Sequence, residues 1–108
     1  MTQIMTADSL AVLRESAGIA TRLMKVLANP DRLMLLCQLS QGEKSVGELE
    51  ILTGIQQPTL SQQLTVLREN QVVQTRREGK SIFYSVASKP ALAIIGVLAE
   101  QICKLHQS

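Results

Sequence analysis

Between Ser45 and Leu67 the chain encodes two short helices parted by one glycine, and that spacing leaves few folds open. Ser45 and Glu48 form the S-x-x-E pattern, in which each side chain satisfies a backbone donor at a helix start. Val46, Leu49 and Leu52 then fall on one side, and Gly54 supplies the left-handed residue that ends a helix. After a tight connection over 55–57, Pro58 opens the next helix, with Leu60, Leu64 and Leu67 at i, i+4 and i+7. Two short helices joined by a glycine-containing turn form the helix-turn-helix pattern.

Upstream, Leu10, Leu13, Ala17, Ala20, Met24 and Leu27 recur in steps of three and four as one apolar seam, with Val12, Ile19 and Val26 in a row beside it. A first helix this wide in its apolar face is either sunk in its own core or packs its surplus on a second subunit. Asn29 caps and Pro30 opens a second helix, carrying Leu33, Leu36, Cys37 and Leu39 before Gly42 stops it. Cys37 shares that apolar face, which predicts at least half burial.

Downstream of Asn70 the period changes. The runs from Val72 to Arg77 and from Ile82 to Val86 are β-branched and aromatic, and Glu78-Gly79-Lys80 supplies the turn of a two-stranded hairpin. Ser88, Lys89 and Pro90 mark the entry to a last helix, with Leu92, Ile95, Ala99 and Ile102 in one stripe and Ile94, Leu98 and Leu105 beside it. It too has more apolar surface than a small core covers. The order predicts a mainly α winged helix-turn-helix with a small β-hairpin, α-α-α-α-β-β-α, as a single domain over residues 1–108.

With 45% hydrophobic residues but only Phe83 and Tyr84 aromatic, the core must be Leu, Ile, Val, Met and Ala, which excludes an all-β sandwich. No run approaches the roughly 18 apolar residues of a membrane span, and no basic segment followed by an apolar stretch opens the chain. The expected location is the cytoplasm, with no membrane partner and with Cys37 and Cys103 as free thiols. A net charge of +2 permits an anionic partner without demanding one. From Ser45 to Ser88, Arg68, Arg76, Arg77 and Lys80 are balanced by Glu48, Glu50, Glu69 and Glu78, so any attraction to DNA must come from local placement and from two copies. The chain has no C-x-x-C, no Gly-rich phosphate loop and no histidine besides His106, so neither an enzyme nor a cofactor is expected.

On the fourth helix, 100° steps place Thr59, Gln62 and Val66 away from the Leu stripe, with Ser61 and Thr65 completing the arc and Gln57 and Gln63 flanking it. An uncharged polar face is either a solvated surface or a base reader, since Gln pairs with adenine and Thr meets a thymine methyl. Arg76, Arg77 and Lys80 at the hairpin tip suit flanking phosphates, and they equally guard an exposed strand edge.

Leu27-Ala28-Asn29-Pro30-Asp31-Arg32-Leu33, Pro58-Thr59-Leu60-Ser61-Gln62-Gln63-Leu64 and Arg76-Arg77-Glu78-Gly79-Lys80 together resemble the ArsR-type family of dimeric winged-helix repressors, over nearly the whole chain. The resemblance implies a homodimer closed by the first and last helices, through Leu10, Leu13, Ala17, Leu92, Ile95, Ala99 and Ile102, on a palindromic double-stranded operator. Metal-sensing members carry Glu-Leu-Cys-x-Cys-Asp in the third helix; here Glu48-Leu49-Glu50-Ile51-Leu52-Thr53 lacks both cysteines. The last helix also lacks an Asp and His cluster, so no metal site is expected.

One cysteine in the second helix and one in the last resembles the BigR-, SqrR- and HlyU-like branch, whose members link two thiols in response to persulfides and oxidants. This implies Cys37 and Cys103 as sensing thiols and reactive sulfur species or oxidants as inducer, with Cys103, beside Lys104, the accessible partner. Bridging would draw the second helix toward the last and alter the spacing of the recognition helices. The alternatives are a metal-sensing repressor and a winged-helix module that meets protein instead of DNA.

Overall fold

The computed structural model describes residues 7–103, with α1 (Ala7–Leu27), α2 (Pro30–Leu39), β1 (Lys44–Ser45), α3 (Val46–Thr53), α4 (Thr59–Glu69), β2 (Val73–Glu78), β3 (Ser81–Val86) and α5 (Lys89–Gln101). Lys104, Leu105 and His106 lie outside the described residues.

Local chemistry sets the helix starts. Asn29 Oδ1 accepts from the Arg32 backbone N–H at 3.0 Å with Pro30 in the first turn, and Ser88 Oγ accepts from the Ala91 N–H at 3.1 Å. At α3 the reciprocal box is complete: Ser45 Oγ accepts from Glu48 N at 3.2 Å, and Glu48 Oε1 accepts from Ser45 N at 2.8 Å. The backbone hydrogen bond from Ser45, with one from its hydroxyl, holds the Glu48 carboxyl below its ordinary pKa. The box is therefore intact at neutral pH and is lost only as pH falls through that lowered value. Gly54, at φ 74°, closes α3 in the left-handed conformation.

The α2 helix is the centre of the packing, touching α1, α3, α4, α5 and β3. Its Leu35, Leu36 and Leu39 meet Leu49 of α3, Leu60, Leu64 and Leu67 of α4, Val72 and Val73 at the start of β2, and Ala91 and Ile95 of α5 in one buried cluster. The expected hairpin is present as β2 and β3, and a short further strand joins it. The sheet has three antiparallel strands in the order β1-β3-β2, with Lys44 opposite Tyr84 and Ser45 opposite Phe83. Gly79, at φ 63°, turns β2 into β3, with Glu78 opposite Ser81.

The long first helix is not sunk in its own core. Only Val26 and Leu27 in its last turn are buried, while Leu13 is 54% exposed and Leu10, Val12, Ile19 and Met24 are similarly open. The radius of gyration, 16.4 Å, exceeds the roughly 13 Å of a compact chain of this length. The α5 helix divides its apolar residues: Ala91 and Ile95 turn inward, and Leu92 and Ile102 turn outward. Ile95, expected on the dimer stripe, is 1% exposed within the chain's own core, because it follows Ala91 by one turn on the inward face. Among the described residues no helix is long and apolar enough to cross a membrane.

Core and surface sites should separate cleanly in urea unfolding. Leu64→Ala is expected to cost about 2–5 kcal/mol. Ile51→Ala, at a side chain 84% exposed on α3, should stay within about 0.5 kcal/mol of the parent.

Candidate nucleic-acid interface and thiol pair

The α4 helix buries Leu60, Leu64 and Leu67 and turns Ser61, Gln62 and Thr65 to solvent, with Thr59 half-buried at its start. Three of the residues expected on or beside its reading face are engaged in holding the helix. Gln57 Oε1 accepts from the Ser61 N–H at 3.1 Å and from the Ser61 hydroxyl at 2.7 Å, satisfying one first-turn donor of α4, whose N-cap residue Pro58 makes no side-chain cap. Gln63 Oε1 accepts from Arg32 Nη1 at 2.8 Å. Val66 packs against the core cluster, since it stands only 100° from buried Leu67. Thr59, Gln62 and Thr65 remain, with no side-chain hydrogen bond among the described residues.

The basic residues of the hairpin divide in the same way. Arg76 shares a sheet face with Phe83, its cross-strand partner, and its guanidinium lies 4.8 Å from that ring's centre. From there it donates two hydrogen bonds of 2.8 Å to the Glu43 carboxylate, and it lies 3.7 Å from Glu78. Its charge is thus met within the chain. Arg77 and Lys80 are exposed and make no ion pair among the described residues.

Cys37 is half-buried on α2, and Cys103 is exposed beyond the end of α5; both are free thiols. They border an apolar groove of about 410 Å³ with Leu33, Met34, Leu52, Leu98 and Ile102. Burial pushes the Cys37 thiol above its ordinary pKa, and the charge of Cys103 adds to the shift. The two cysteines are not close, which overturns the expected switch through a Cys37–Cys103 disulfide or polysulfide bridge. Cys103 lies past the end of α5 at Gln101 and is open to solvent, whereas Cys37 is half-buried against the core on α2. Among the described residues no group of three or more His, Cys, Asp or Glu could hold a metal ion.

Arg32 and Glu43 escaped the sequence reading. Their partners lie 31 and 33 residues away, and no local spacing signals such a pair.

Two short helices joined at Gly54 beside a three-stranded sheet define a winged helix-turn-helix DNA-binding regulator. Residues 29–75 match the model of the family described as bacterial regulatory protein, arsR family. A biofilm growth-associated repressor of Agrobacterium fabrum is 52% identical over 94 residues, 87% of this chain and 80% of that protein. The crystal structure of the transcriptional repressor BigR from Xylella fastidiosa superimposes with a TM-score of 0.80 at 46% identity, covering 92% of this chain and 98% of that one. Reduced HlyU from Vibrio cholerae superimposes with a TM-score of 0.81 at 37% identity, covering 84% and 96%. The chain belongs to the arsR family of bacterial regulatory proteins, in the branch of the biofilm growth-associated repressors.

Thiol labelling tests the correction. With iodoacetamide at neutral pH and peptide mass mapping, Cys103 should react about tenfold or more faster than Cys37, the gap narrowing as pH rises through the raised Cys37 pKa. Peroxide should yield no linked Cys37–Cys103 peptide, and such a peptide in high yield contradicts the geometry.

Proposed function

We propose that the chain acts as a homodimeric repressor, one domain per protomer, that seats α4 of each copy in successive major grooves of a palindromic duplex. The observation that carries this reading is the division on α4: Gln57, Ser61 and Gln63 fasten the helix, while Thr59, Gln62 and Thr65 stand unengaged on its outer arc. Gln62 is suited to a bidentate pair with adenine N6 and N7, and the threonines to thymine methyls. Arg77 and Lys80 carry the phosphate contacts of the wing, and Arg76, locked to Glu43, holds the wing in position.

Leu10, Leu13 and Ala17 of α1 with Leu92 and Ala99 of α5 and Ile102 just beyond its end form the dimer face. Covering a half-exposed Leu or Ile there returns on the order of 1 kcal/mol, so a handful suffices for a stable pair. The name of the Agrobacterium relative supports repression as the outcome of binding. Reactive sulfur species or oxidants are the inducer class we favour. Exposed Cys103 is the thiol that such a species would meet first.

Gel-shift titrations on a duplex selected from a random pool test the division of labour. Gln62→Ala should lower discrimination at one position of each half-site by about tenfold with an unchanged salt slope. Arg77→Ala should weaken binding to all duplexes alike and reduce the slope by about one unit per substituted contact. Equal effects of the two in both assays exclude the assignment.

A further inference from the structure

We infer that Arg32 and Gln63 are positioning residues that set the angle of the recognition helix against the dimer helix. The inference rests on the reading that α4 enters the major groove. Arg32 lies in the first turn of α2, where its backbone N–H bonded to Asn29 Oδ1 fixes the origin of the side chain. Its guanidinium then reaches two other helices. Nε donates to the Val26 carbonyl, and Nη2 donates to the Lys25 carbonyl at 3.4 Å. Both carbonyls belong to the last turn of α1, where backbone acceptors lack intrahelical donors and the helix dipole favours a cation. Nη1 turns the other way and donates to Gln63 Oε1 on α4 at 2.8 Å.

A guanidinium is a rigid planar fork, so its contacts fix the end of α1 and the middle of α4 relative to one another. Among the described residues, no other side-chain hydrogen bond runs from α4 to a helix outside the helix-turn-helix. Gln63 directly follows Gln62, so a shift at the clamp re-aims the reading residue. Because α1 also carries the dimer face, the clamp relates each recognition helix to the two-fold axis. It thereby sets the half-site spacing the dimer accepts, which for paired recognition helices is about one turn of duplex. Gln63, its acceptor used, serves as an anchor and not as a base reader.

The test uses the full chain and a set of duplexes built from one pool-selected palindrome, differing only by one base pair added to or removed from the centre. Wild type should prefer one spacing by about tenfold or more. Gln63→Leu, which keeps bulk but removes the acceptor, should flatten that preference to about threefold or less while retaining discrimination between half-site bases. Gln63→Glu, which keeps an acceptor for Arg32, should restore the preference. Arg32→Lys, with a single-point cation in place of the fork, should resemble Gln63→Leu. If it does not fold, the two Gln63 variants still decide.

An unchanged spacing preference in Gln63→Leu overturns the inference, as does lost base discrimination with spacing preference intact, which makes Gln63 a reader. If wild type binds no duplex from the pool, the underlying reading of α4 falls instead.

Discussion

Two helices present apolar surface that the described residues of this chain leave uncovered, and the rest of the described molecule is arranged around that deficit. With 21 residues, α1 is about 32 Å long, yet among its described side chains only Val26 and Leu27 are buried in the core, with Leu23 packed against it. Its remaining apolar seam and the outer face of α5 lie open, a surface that the proposed dimer would cover. The last turn of α1 is therefore a junction: it is where this long helix meets the core, and where Arg32 grips its carbonyls.

On the nucleic-acid side, polar groups divide into those that hold and those that remain available. Gln57 and Gln63 engage their side-chain carbonyls, and Ser61, Arg76 and Glu43 their polar groups, in bonds within the chain that hold α4 and the wing. With Arg76 matched, little positive charge is left per protomer, in keeping with a net charge of only +2. In the proposed complex, electrostatic affinity then depends on duplication, because two wings would double the phosphates neutralised.

Elements governed by neighbours one to four residues apart were legible beforehand: the caps at Asn29, Ser45 and Ser88, the Gly54 terminator and the Leu60-Leu64-Leu67 stripe. The strand β1 was not, since Lys44 and Ser45 are too few to show alternation and owe their conformation to β3. Periodicity revealed the excess width of α1 and α5 but not its direction, so Ile95 was grouped with Leu92 although one faces the core and the other solvent. Placement of Cys37 on the apolar face of the second helix followed from periodicity, whereas its bridge to Cys103 was implied by family resemblance alone and is overturned because the two thiols are not close. The Arg32–Gln63 and Arg76–Glu43 pairs join distant segments, and they became visible only once packing had brought those segments together.

Sedimentation equilibrium of the chain and of its Leu13→Asp variant, at low micromolar concentration and with the selected duplex as a second component, addresses the central claim directly. The account predicts twice 11.8 kDa for the parent, and a helical species of 11.8 kDa without duplex affinity for the variant. A parent that sediments at 11.8 kDa and still binds the duplex would contradict it.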